Sequence, residues 1–190
     1  MKNNGTKCLI ASAGLLLGIA TSSSQAAVII NATQVGGDVV ITSSGTINLA
    51  GLQHWSNGST SGGLISPSTG YLITGYTAGL IRLYRNYTGP TSWGTGGFSY
   101  DTTSIGDTFG FSNNASTLYL AQNVVDTGVV NSTSIYSGQT LDSLGIAQGI
   151  YTWTWAADSI TFNAIPEPGT SGLLLAGLGI AGFMARRRTC

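Results

Sequence analysis

From residue 38 onward, apolar residues recur at every second position in short pieces separated by Gly, Ser, Thr and Asn. Asp38 to Thr42 and Thr46 to Leu49 are followed by Tyr71 to Thr74, Leu80 to Tyr84, Phe109 to Phe111 and Thr117 to Leu120. Val129 to Tyr136, Ile150 to Trp155 and Ser159 to Ala164 complete the series. In an extended chain, alternate side chains point to opposite faces, so each piece predicts a half-buried strand. The last two pieces are the clearest. Tyr151, Trp153 and Trp155 share one face with Thr152 and Thr154 opposite, and Ile160, Phe162 and Ala164 repeat the pattern. Ala156-Ala157-Asp158 is short enough to be a turn, which predicts an antiparallel hairpin. Many short strands with Gly and Asn turns give an all-β class and favour an antiparallel, jelly-roll-like β-sandwich, with closure into a barrel as the alternative.

Three stretches break the alternation. Gln53 to Gly70 and Tyr87 to Gly97 are rich in Gly and Ser without periodicity and predict long loops. Between Gln139 and Gln148, Leu141, Leu144 and Ile146 are spaced for a single helical turn ahead of the final hairpin.

The two ends follow other rules. Lys2 and Lys7 precede an apolar run from Cys8 to Ala20, then a small, polar stretch from Thr21 to Ala27, which is the order of a secretory signal peptide spanning residues 1–26. Ser24 and Ala26 place small residues at the −3 and −1 positions of a cut between Ala26 and Ala27. At the other end, residues 166–190 begin with Pro166-Glu167-Pro168, continue through an apolar run from Ser171 to Ala185, and reach Arg186, Arg187 and Arg188. At about 1.5 Å per residue that run is roughly 22 Å long, short of a hydrocarbon core of about 30 Å. It spans as a transmembrane helix only with help from its neighbours and snorkelling arginines. The basic triplet fixes the cytoplasmic side, leaving the body across the membrane. An uncleaved N-terminal anchor and a buried C-terminal helix are the alternative readings of these two segments.

Residues 27–165 are long enough for one domain with a real core. In them, Arg82 and Arg85 face six aspartates, an excess of four negative charges, and lysine is missing altogether. Nucleic acid needs a clustered basic surface, so it is excluded as a partner. Both cysteines, Cys8 and Cys190, fall in the ends. The body therefore has no disulfide framework, no thiol nucleophile and no thiolate metal site.

Pro166-Glu167-Pro168, a short Gly- and Leu-rich segment and Arg186-Arg187-Arg188 together resemble the PEP-CTERM sorting signal of Gram-negative bacteria. The resemblance implies a tail recognised and removed by a membrane-embedded exosortase after Sec-type export. The body would pass through an inner-membrane intermediate to the cell surface or extracellular matrix, in association with exopolysaccharide or biofilm. The residues are compatible with this. Two prolines hold Glu167 in extended backbone that a processing enzyme can grip, and Gly172 with Ala176 and Gly177 with Ala181 allow close approach of another helix. The body, with Tyr136 to Leu141 leading to Tyr151-Thr152-Trp153-Thr154-Trp155 and Asp158-Ser159-Ile160-Thr161, is similar to a type that recurs ahead of such tails and carries no assigned chemistry.

Candidate chemistry is sparse. His54 is the single histidine, no Gly-x-Ser-x-Gly elbow occurs, and the nearest pair of carboxylates, Asp101 and Asp107, lacks calcium-loop spacing. The reading is therefore a non-enzyme with no cofactor and no metal. Trp153 and Trp155 belong to the patterned hairpin and are expected in the core, whereas Trp55 and Trp93 fall in predicted loops and are the candidates for stacking on glycans. Asn31, Asn57, Asn86, Asn114 and Asn131 each open an Asn-x-Ser/Thr triplet, a pattern that this composition generates readily by chance. The leading function is a structural or interaction protein of the surface or matrix, with a carbohydrate-binding module as the second reading and a hydrolase as the third.

Overall fold

The computed structural model describes residues 27–165 except 61, 114 and 115. The strands run β1 Ala27–Val35, β2 Asp38–Thr46, β3 Gln53–Gly58, β4 Leu64–Ser66, β5 Tyr71–Thr74, β6 Ile81–Arg85 and β7 Ser99–Tyr100. They continue as β8 Thr103–Gly106, β9 Phe109–Ser112, β10 Thr117–Ala121, β11 Val129–Tyr136, β12 Gly149–Trp155 and β13 Asp158–Ala164. A 3₁₀ turn, Pro67–Thr69, and one short helix, α1 Gln122–Thr127, interrupt them.

Hydrogen bonding sorts the strands into two sheets, β12-β13-β1-β2-β11-β8 and β3-β6-β10-β9-β5-β4-β7. Every described pairing is antiparallel except β1 with β13, which run parallel with Ala27 opposite Ser159 and Ala32 opposite Ala164. Each sheet keeps two edges, so the strands do not close into a barrel. Val28, Ile30, Ile41, Trp153, Ile160 and Phe162 of the first sheet share one core with Ile65, Leu72, Phe109, Phe111, Leu118 and Leu120 of the second. Alternation explains this: in β13 the buried positions are every second residue, and the polar ones between them face out.

The predicted antiparallel hairpin is present, but its turn is shorter than expected: Asp158 is the first residue of β13 and pairs with Trp155, leaving Ala156-Ala157 as the link. Strand β1 is an addition to the sequence reading, because outward-facing Ile29, 44 % exposed, blurs its alternation. Thr46 to Leu49 is a correction: only Thr46 stays in a strand. The backbone beyond it is drawn off by the last hairpin, where Asp158 Oδ2 accepts from the Asn48 N–H at 2.7 Å and the Trp155 indole donates to the Asn48 carbonyl at 2.8 Å. Such bonds offer the chain an alternative to the sheet ladder. Gln53 to Gly70 is corrected likewise, since it holds β3, β4 and the 3₁₀ turn. Between Gln139 and Gln148 the chain makes turns, closed by Leu144 N–H to the Thr140 carbonyl at 3.0 Å, with Leu141, Leu144 and Ile146 buried as their spacing suggested.

Asp158 is 3 % exposed, and burial pushes its carboxyl up from the ordinary value, offset by the backbone N–H groups of Asn48 and Ser159. A raised folded value means that the folded state binds the proton more tightly. The group therefore adds stability as pH falls from its raised value toward the unfolded value of about 3.9. In thermal melts from about pH 7 to about pH 3, the advantage of the native protein over Asp158→Ala should grow. An advantage that shrinks on acidification would contradict this.

Between the sheets, Thr74 Oγ1 lies 2.7 Å from both Ser43 Oγ and Ser132 Oγ and donates toward the Phe109 carbonyl at 3.2 Å, all buried. Thr74→Val keeps the shape and strips the shared hydroxyl, so it should cost about 1–3 kcal/mol in denaturant unfolding. Adding Ser43→Ala and Ser132→Ala should recover part of that loss, because fewer buried hydroxyls are then left without partners.

Candidate functional site

Register builds one surface of the second sheet from its sequence. Leu72, Ile65, Phe111, Leu118 and Leu120 face the core, so their neighbours along the same strands face away from it. The cross-strand pairs then set Leu83, Tyr119, Gly110, Ile73, Leu64 and Tyr100 in one row over β6, β10, β9, β5, β4 and β7. Gly110 fits there because a Cβ would fall 2.2 Å from the Leu72 carbonyl oxygen, beneath the Ile73 side chain. Tyr71 anchors the aromatic part of this face. Its ring lies 5.8 Å from Tyr119 and 5.9 Å from Phe98, the latter edge-on. Burial, reinforced by a hydrogen bond to Tyr119, holds the Tyr71 hydroxyl well above the usual phenol value, so it stays neutral. Phe98 and Tyr100 are 63 % and 70 % exposed. Beside them a groove of about 380 Å³ is lined by Ser59, Thr60, Leu64, Tyr71 and Ile73, with no ionisable carboxylate or base among them.

The two tryptophans singled out from the sequence part company. Trp55 lies on β3 rather than in a loop, is 46 % exposed, and carries the Arg85 guanidinium 3.6 Å above its ring. That cation–π contact occupies one face of the indole. Trp93 is a correction, because it is 1 % exposed and packs edge-on against Phe162 at 4.8 Å. Its segment, read as a loop, is pinned into the body: Trp93 N–H donates to Pro67, the Trp93 carbonyl accepts from Ala147, and Thr88 exchanges both backbone bonds with Thr154. Burying an indole outweighs the cost of ordering a few residues, and that balance leaves no periodic trace. Trp93 is thus unavailable to a glycan.

The remaining candidates are used locally. His54 Nε2 lies 3.0 Å from Asn57 Oδ1 and the ring stands edge-on to Tyr84. Asp101 accepts from Ser104 Oγ, and Asp107 from the Asn123 side chain and from Asn131 N–H at 3.2 Å. Among the described residues no cluster of three metal-ligating side chains occurs.

Of the residues expected to take part in processing, Ala27 opens β1 and lies beside Gly45, where φ is +134° and a Cβ would meet the Ala27 carbonyl oxygen at 2.1 Å. Ala26, Pro166, Glu167, Pro168, Arg186, Arg187 and Arg188, with the signal and apolar segments, lie outside the described residues. Phe98, Tyr100, Tyr71 and Tyr119 were not singled out in the sequence, although Tyr71 and Tyr119 sit at alternating strand positions that mark a face. Neither the curated proteins nor the solved structures offer a match to this chain. Residues 164–188 match the family model for the PEP-CTERM protein-sorting motif, beginning at Ala164, the last residue of β13. This chain is therefore a carrier of the PEP-CTERM sorting motif, fused directly to the final strand of an all-β body.

Proposed function

We propose that the protein is an exported structural or interaction component of the cell surface or extracellular matrix, delivered by exosortase processing of its tail. The observation that carries the proposal is the sorting motif at residues 164–188. In this reading Sec export removes residues 1–26, residues 171–185 hold an inner-membrane intermediate, and the enzyme cuts near Pro166-Glu167-Pro168. The released body is a jelly-roll-like sandwich that works by binding rather than by catalysis, within exopolysaccharide or biofilm.

Two features support it. Ala27, the first residue of the mature chain in this scheme, already pairs with Ser159, so a cut before it costs the body no strand. The parallel β1–β13 pair also sends the two ends out of opposite ends of the first sheet, since Ala27 is level with Ser159 and Ala32 with Ala164. Processing at one end therefore leaves the other untouched. Carbohydrate binding through loop aromatics, the second reading, loses Trp93 to the core and keeps Trp55 with one face covered.

Fractionation of the native host tests the proposal. The protein should be found in the surface or matrix fraction of a strain with its exosortase and in the inner-membrane fraction of a strain without it. Recovery from the same fraction in both strains would overturn it.

A further inference from the structure

The aromatic row of the second sheet lies outside every role assigned above. We infer that this face binds a neutral polysaccharide, laid across the strands from Tyr119 toward Tyr100. The inference deepens the reading of the body as an exported binding module and rests on it.

Exposure is the first argument. Phe98 and Tyr100 leave 63 % and 70 % of their surface in water; Phe98 stands edge-on to Tyr71, and Tyr100 pairs with Leu64 of the groove. Contiguous exposed apolar surface of this kind marks an interaction site, whereas single exposed residues need no explanation.

The chemistry of the lining selects the ligand. A pyranose ring presents apolar C–H faces and hydroxyl edges. Aromatic rings accept the faces, and the hydroxyls of Tyr71 and exposed Ser59 at the groove are neutral groups that both donate and accept. No charged side chain lines the groove, so a polyanion would lose its hydration there without gaining a counter-charge. Arg85, two residues along β6 from Leu83, holds its guanidinium over Trp55. Tyr119 on β10 and Tyr100 on β7 lie four strand spacings apart, about 19 Å at roughly 4.8 Å each, with Gly110 and Ile73 buried between them, so an occupant that touches both ends is a chain rather than a single sugar.

The exported protein purified from its host, run by affinity electrophoresis in gels containing dextran, laminarin, hydroxyethyl cellulose or the polyanion alginate, tests this directly. Retardation by at least one neutral chain is expected. The Phe98→Ala/Tyr100→Ala protein, which should keep a cooperative melt despite losing the Phe98–Tyr71 contact, should bind that chain at least about tenfold more weakly, a difference of about 1.4 kcal/mol. Ile105→Ala, on the outer side of the first sheet, should bind as the native protein does. Retardation by alginate alone, by none of the chains, or to the same degree in the double variant would overturn the inference. So would a concentration-dependent dimer abolished by the double variant without any retardation, which would identify a second copy of this chain as the occupant. Processing and location are read separately by fractionation, so failure here leaves the sorting reading standing, and failure there does not depend on these four aromatics.

Discussion

Replacing Trp153 by alanine should destabilise the body by about 3–5 kcal/mol, a large share of the roughly 5–15 kcal/mol available to a domain of this kind. Trp153 is wholly buried, its ring centroid lies 4.1 Å from that of Phe111 across the two sheets, and its indole N–H donates to the Pro90 carbonyl at 3.1 Å. Truncation therefore opens a cavity between the sheets and leaves a carbonyl without its donor. The chain is built tightly around this ring: a Cβ on Gly89 would fall 2.2 Å from the indole Cδ1. Gly89→Ala must push the indole off its seat and should cost about 1–3 kcal/mol. Guanidinium unfolding followed by fluorescence measures both. Trp55→Ala is the control: it loses an exposed cation–π contact and should change stability by no more than about 1 kcal/mol. Equal losses for Trp55→Ala and Trp153→Ala would contradict the assignment of the core.

The second large effect is expected in the tail. Changing Pro166-Glu167-Pro168 to Ala-Ala-Ala should shift the protein from the processed to the unprocessed form in a host with exosortase. Alanine restores helix-forming backbone and its N–H groups, whereas proline disfavours helix at itself and at the residue before it. The motif match starts at buried Ala164, and Ile165 is the single residue between β13 and Pro166. In the proposed scheme the enzyme works almost against the folded sheet, which leaves little slack for a misdirected backbone. Replacing Arg186, Arg187 and Arg188 with glutamine should produce a different failure. Each arginine opposes passage through the bilayer by about 2.5–3.5 kcal/mol, so removing all three should weaken retention and release protein that still carries residues 171–185. Intact mass separates the two outcomes. Normal processing of both variants would contradict the roles given to these residues.

How legible the molecule was depends on where its signals lie. Strands whose outward positions are polar declared themselves: Val129 to Tyr136 and the last two strands were read with nearly the boundaries that they have. Strands that break the rule did not. Ile29 masks β1, and β3 is an edge strand with a bulge between His54 and Ser56 and no apolar period. Helix α1 spans only six residues, too few to show a helical repeat, and its stop signal is one glycine, Gly128 at φ +69°. The parallel β1–β13 pair joins residues more than 130 positions apart and has no local signature. For the aromatic face, alternation assigns Tyr71 and Tyr119 to one side of their own strands. Bringing them beside Phe98 and Tyr100 takes the strand order of a whole sheet. The opposite error befell Trp93, where polar, glycine-rich neighbours disguised a core residue as a loop residue.

The central claim is that the tail is a transient sorting handle on an exported β body, and intact mass of the protein from its native host tests it most directly. With exosortase present, the mature form should begin at Ala27 and lack residues 171–185; without the enzyme, those residues should remain. A mature form that keeps residues 171–185 in both hosts would make the segment an ordinary C-terminal anchor and contradict the account.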